Sequence, residues 1–241
     1  MGIEQQKKDM PRRVEYRGEI ERLQRDTLEG LELVVGALDR SLEALAHHDI
    51  ELADLVVADD DQIDGRYLQI HQGVLSLLAR QTPVAADLRL LAALLHVIRN
   101  MERMGDQCVN ISKLIPVTGH EPTTDPEILR MVEEMGLAVR EIVRQAMKAL
   151  EQQDPAMAFD LAERDQRVNQ LNRSIFRRAL EVGGDTDLRE WAMTMTLVGR
   201  CLERVGDNAV DIGEQIAFVS TGVFREFADA SQSERGDPSR G

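Results

Sequence analysis

Apolar residues recur along most of this chain at spacings of three and four. Leu31, Val34, Val35, Leu38, Leu42 and Leu45 form one stripe, Leu91, Leu94, Leu95, Ile98 and Met101 a second, and Leu137, Ile142, Val143, Met147 and Leu150 a third. That spacing is the period of an α-helix with one buried face. No stretch sustains the two-residue alternation of a half-buried strand. The pattern predicts six helices, near residues 15–47, 50–80, 84–115, 126–152, 155–182 and 187–220. A helix of about 30 residues is about 45 Å long, so the expected architecture is all-α and built from elongated bundles. Thr82-Pro83, Asp125-Pro126 and Asp154-Pro155 read as helix starts. In each pair a side-chain oxygen is placed to take an orphan amide, and proline removes another amide while setting φ.

The halves of the chain repeat one another. Asp49 and Asp60 align with Asp154 and Asp165 at an offset of 105, and Leu38, Leu42 and Leu45 then fall on Val143, Met147 and Leu150. Further on, Glu102-Arg103-Met104-Gly105-Asp106 aligns with Glu203-Arg204-Val205-Gly206-Asp207 at an offset of 101. Two pseudo-symmetric three-helix bundles in tandem are expected, over 15–118 and 125–222. Residues 1–14 and 229–241 lack apolar periodicity and are expected to be mobile tails.

Composition narrows the function. Of 241 residues, 29 are Lys or Arg and 43 are Asp or Glu, a net charge of −14. Such a chain is poorly suited to nucleic acid or an anionic membrane, where basic charge supplies most of the attraction. Only 3% of residues are aromatic, too few for base-stacking modules. Cys108 and Cys201 build neither a disulfide framework nor a thiolate metal site by themselves. With no secretory h-region and no apolar run near 18 residues, a cytoplasmic chain without membrane insertion is expected.

The repeated acidic motif carries the candidate chemistry. Glu102, Asp106 and Asn110 lie four apart on one helix face, as do Glu203, Asp207 and Asp211. Glu102 and Asp106 fall at the edge of the apolar arc, where a neighbouring helix packs. The preceding helix of each half adds Asp60 and Asp64, or Asp165 and Asn169. Like charges one turn apart repel, so arginine, hydrogen-bond donors or a cation should compensate them. Glycine at 105 and at 206 costs a helix about 1 kcal/mol and points to close approach by another group. An all-oxygen cluster suits Mg, Mn, Ca or Fe, whereas zinc would want His or Cys in register. The same acids could instead be a solvated face paired with Arg99, Arg103, Arg200 and Arg204. His96 reads as a core residue, and Met101, Met104, Met193 and Met195 as core filler. No phosphate loop, Glu-x-x-His pair or nucleophilic triad is present, which argues against an enzyme. Two alternatives stay open: a carboxylate-bridged metal-dependent phosphohydrolase or oxidoreductase, and a purely structural helical adaptor.

At these motifs the chain resembles the PhoU family of phosphate-uptake regulators. The carriers are the twin Glu-Arg-x-Gly-Asp motifs, the segment Gln81-Thr82-Pro83-Val84-Ala85-Ala86-Asp87-Leu88-Arg89, and Asp60-Asp61-Gln62-Ile63-Asp64. The resemblance spans roughly residues 15–222. It implies a cytoplasmic accessory protein of the phosphate ABC transporter. Such a protein negatively regulates phosphate uptake and the starvation response, and relays transporter state from the ATPase to a sensor histidine kinase. It also implies multinuclear iron, manganese or magnesium on the acidic faces. That role falls on Glu102, Asp106, Glu203 and Asp207, with Asp60, Asp64, Asp165, Asn169, Asn110 and Asp211 around them. A homodimer is the expected assembly.

Overall fold

Each helix boundary has a local cause in the computed structural model, which describes residues 3–119, 122–224 and 226–227, with side chains from Val14 onward. Helix α1 (Ile3–His47) stops where His48 enters the left-handed region at φ 52°. Asp49 then caps α2 (Ile50–Arg80), its carboxylate accepting the Leu52 amide at 2.9 Å. The second half repeats the device. Helix α4 (Pro126–Gln152) ends at Gln153, φ 51°, and Asp154 caps α5 (Pro155–Glu181) through the amides of Ala156 and Met157. A non-glycine residue in that region costs about 1–2 kcal/mol, so the same reversal at equivalent positions marks the repeat in the backbone too.

The remaining helices are α3 (Ala85–Leu114) and α6 (Thr186–Thr221), with a 3₁₀ turn at Pro116–Thr118 after α3. Asp185 caps α6 through the amides of Asp187 and Leu188, and Asp125 caps α4 through those of Glu127 and Ile128. Thr82-Pro83 does not act as expected. Helix α3 starts at Ala85, and Val84 stands at its N-cap with no side-chain hydrogen bond. The first helix also begins earlier than the periodicity placed it, at Ile3, inside the segment read as a tail. The tail expected at 229–241 lies outside the described residues.

Asp125 does more than cap, because Arg178 of α5 donates to its second carboxylate oxygen at 2.7 Å. Asp125→Ala is therefore expected to cost about 1–2 kcal/mol. Thr82→Ala should change stability by less than about 0.5 kcal/mol, both read from urea denaturation midpoints.

Helices α1, α2 and α3 pack against one another, as do α4, α5 and α6. The two bundles join along α3 against α6 and α1 against α4. The helices thus form two layers, with α2, α3, α6 and α5 in a row over α1 and α4. Leu31, Leu38, Leu91, Leu94, Ile98, Met101, Met104, Val139, Val198, Leu202 and Val205 belong to one continuous core that crosses from bundle to bundle. Burying each Leu contributes about 1.5–3 kcal/mol. Arg89 bridges the halves by donating Nε–H to the Val219 carbonyl at the end of α6, where a cation opposes the helix dipole favourably.

Three positions read as core are exposed. His96 sits about 200° around α3 from Leu94, on the outer side of an otherwise buried run. Leu137 and Met193 also face outward, whereas Met101, Met104 and Met195 are buried as expected.

Candidate metal centre

The first acidic group forms where α2 crosses α3. A Cβ at position 105 would lie 3.0 Å from Ile63 Cδ1 and 3.2 Å from an Asp60 carboxylate oxygen. Glycine at this crossing lets Asp60 rest its carboxylate on the α3 backbone. Beside it, a cavity of about 20 Å³ is lined by Arg40, Asp59, Asp60, Ile63, Gly105 and Val109, room for a single water-sized group. Burial pushes the Asp60 carboxyl up to about 6, reinforced by Asp64, Asp106, Asp61 and Glu102. Glu102 is raised as well, by burial first, with Arg99 opposing and Asp106 and Asp64 adding to it.

Glu102 holds the most informative atom. One carboxylate oxygen pairs with Arg99 at 3.5 Å, while Oε2 is buried and has no hydrogen-bond partner. A buried carboxylate oxygen without a partner is costly and needs a compensating donor or cation. Asp64, Asp106 and Asn110 are exposed on the same stretch of surface. Arg40 of α1 holds Asp59 at 2.5 Å and so draws that acid away from the group. Local spacing cannot reveal this pair, because Arg40 lies in α1, outside the repeated motif.

The second group is arranged differently. Asp165 is buried, with a carboxylate oxygen 2.5 Å from where a Cβ at 206 would stand, so Gly206 serves it as Gly105 serves Asp60. Asn169 donates Nδ2–H to the other Asp165 oxygen at 2.6 Å, and Arg200 pairs with Glu203. Asp207 is exposed. Asp211 is exposed and lies within electrostatic reach of Arg103 on α3. Desolvation raises its carboxyl, Arg103 opposes the shift and Glu226 reinforces it. Glu214, one turn on, is buried and accepts the Phe227 amide at 2.5 Å, a contact that periodicity could not reveal.

Asp64, Asp106 and Glu102 lie near enough to Asp60 across α2 and α3 to raise its carboxyl, and Asn169 hydrogen-bonds Asp165 beside Gly206. The structure leaves Asn110 at the margin and gives Glu203 to its own arginine. Among the described residues no three His, Cys, Asp or Glu side chains are already gathered as a metal site. The first group does offer oxygen side chains and one buried carboxylate oxygen without a hydrogen-bond partner, on Glu102. The second offers less, since an amide occupies one oxygen of Asp165 and a guanidinium holds Glu203.

The PhoU domain matches residues 27–115 and again 132–216. The chain belongs to the PhoU family. Relatives include the phosphate-specific transport system accessory protein PhoU homolog of Zymomonas mobilis, 32% identical over 187 residues, covering 77% of this chain and 78% of that protein. PhoU homolog 1 of Mycobacterium leprae is 29% identical over 196 residues, covering 79% and 85%. The crystal structure of PhoU from Pseudomonas aeruginosa superposes with a TM-score of 0.78 at 26% identity, over 86% of this chain and all of that one. The phosphate transport system regulatory protein PhoU from Streptococcus pneumoniae gives 0.81 at 23%, over 87% and 99%, and shares the fold. Among the described residues no helix is long and apolar enough to cross a membrane.

Proposed function

We propose that this PhoU-family chain is a cytoplasmic, non-enzymatic accessory protein of a phosphate ABC transporter. In this reading it restrains phosphate uptake and the starvation response by linking the transporter ATPase to a sensor histidine kinase, and it works as a homodimer. The names of its relatives, phosphate-specific transport system accessory proteins, support the accessory role. We further propose that Asp60, Asp64, Glu102 and Asp106 hold a divalent or trivalent cation, iron, manganese or magnesium. Asp165, Glu203, Asp207 and Asp211 form a weaker second position, with Asn169 and Asn110 at the rims. The observation that carries the metal reading is the buried, unpartnered Oε2 of Glu102, on the same face as an Asp60 carboxyl raised by burial and by its acidic neighbours.

A bound cation would supply positive charge between α2 and α3. The residues do the remaining work. Gly105 leaves room for the close approach of Asp60 to α3, and Glu102 keeps one buried carboxylate oxygen without a hydrogen-bond partner. Neutralising this face changes the field that a partner meets on a chain of net charge −14.

The test of the regulatory reading is phosphate uptake and starvation-gene expression in cells grown with excess phosphate. Deleting the chain should derepress both, and the intact chain supplied in trans should restore repression. Unchanged uptake and expression in the deletion strain would remove the reading.

A further inference from the structure

The outer groove between α5 and α6 in the second bundle has a character unlike the rest of the molecule. Phe176 and Leu180, one turn apart on α5, are 52% and 67% exposed. Met193 and Leu197, one turn apart on α6, are 52% and 54% exposed. Asn172, Arg173, Phe176, Arg177, Thr196 and Arg200 line a groove of about 600 Å³ between the helices. Phe176 lines the groove itself, and Leu180 one turn on extends the exposed apolar surface along α5, the kind of feature that marks an interaction surface.

Charge gives the patch its direction. In a chain of net charge −14, residues 166–180 of α5 carry Arg167, Arg173, Arg177 and Arg178 and no carboxylate, and residues 191–202 of α6 carry none either. Three of the nearby arginines are already committed: Arg167 to Glu134, Arg178 to Asp125, Glu127 and Glu181, and Arg200 to Glu203. Arg173 and Arg177 are not. Arg177 donates only to the Arg173 carbonyl and the Ser174 hydroxyl, and Arg173 forms no ion pair among the described residues. Two uncompensated guanidinium groups one turn apart therefore flank an exposed phenylalanine. The corresponding positions of the first bundle, Leu68, His71 and Gln72, hold no arginine, so the feature belongs to the second bundle alone.

We propose that this groove docks an acidic amphipathic helix of a partner protein. Its apolar ridge would lie against Phe176 and Leu180, and its carboxylates would meet Arg173 and Arg177. Long-range repulsion from a chain of net charge −14 disfavours acidic partners, and Arg173 and Arg177 relieve it locally at this groove. An anionic lipid surface would meet the same arginines but also the whole negative molecule behind them. The inference deepens the accessory role proposed above by assigning its partner surface.

The test places photoreactive p-benzoylphenylalanine at position 176 of the full chain, and at exposed position 68 as a control, in the native host. Irradiation is followed by identification of the cross-linked peptides. Position 176 should yield an acidic amphipathic segment of one other protein, and position 68 should not. Arg173→Glu with Arg177→Glu should lower that yield about tenfold or more while helical circular dichroism stays unchanged. Adducts with a second copy of this chain, with lipid or with nucleic acid, no adduct, or a yield indifferent to charge reversal would each overturn the proposal. A cross-linked partner unrelated to phosphate transport or signalling would leave the docking face standing and remove the regulatory reading instead.

Discussion

Replacing Glu102 and Asp106 together with alanine is expected to weaken cation binding at the first bundle by roughly 100-fold or more. That exceeds the 10–100-fold cost of disturbing only the outer support of a metal ligand. The pair removes the unpartnered Glu102 oxygen and the Asp106 charge on one turn of α3. Helix content should not fall, because neither side chain belongs to the buried core and alanine is the better helix former. The matching substitution, Glu203→Ala with Asp207→Ala, should cost far less. Arg200 holds Glu203 more closely than Arg99 holds Glu102, and Asn169 already occupies an oxygen of Asp165. Calorimetric titration with Mn²⁺ at constant pH checks both. Equal losses in the two halves would mean that the asymmetry between the groups carries no weight in binding.

Asp60→Asn is expected to act in opposite directions on stability and on metal. The Asp60 carboxyl is raised to about 6 by burial and by four neighbouring acids. The unfolded chain loses this proton near pH 4, whereas the folded chain keeps it to about pH 6. The native state therefore binds more protons through that window, and this group's contribution to stability falls as pH rises across it. Asparagine removes the effect. After allowing for solvent screening, the metal-free variant should be more stable than the parent by about 1 kcal/mol at pH 7 and no more stable at pH 4. The same change should weaken metal binding, since protons and cations compete for these oxygens. Urea denaturation of both proteins at pH 4 and pH 7, in chelator, reads the first effect. A variant less stable than its parent at pH 7 would show that Asp60 is already compensated within the fold. Strain held at a site and relieved only by its ligand is a familiar exchange of stability for function.

The helices were legible because their boundaries are chemical. Asp125-Pro126 and Asp154-Pro155 announce caps that the structure uses, and stripes such as Leu91, Leu94 and Ile98 turn inward as spaced. The same signal misled at Thr82-Pro83, where the two prolines' worth of analogy ignored that the chain stays extended to Val84 before α3 begins. His96 was misread because a run of apolar neighbours hides the helical phase that turns it outward. The acidic groups were legible as a repeat, and glycines 105 and 206 pointed correctly to close approach by α2 and α5. Their compensation was not legible. Arg40 taking Asp59, Arg103 facing Asp211 and the Phe227 amide on Glu214 all depend on helices meeting across the fold, which no local spacing encodes. The arginine-flanked groove at Phe176 escaped for the same reason, since only the packing reveals which of five nearby arginines remain uncommitted.

Metal content per chain, by elemental analysis of protein purified without chelator or affinity metal, tests the central claim most directly. The expected result is at least one cation per chain at a fixed ratio, lost on Glu102→Ala with Asp106→Ala and largely retained on Glu203→Ala with Asp207→Ala. Protein that emerges free of metal, and after loading holds only weak, non-stoichiometric amounts unaffected by either substitution, would contradict the account and leave the two acidic faces as solvated surface.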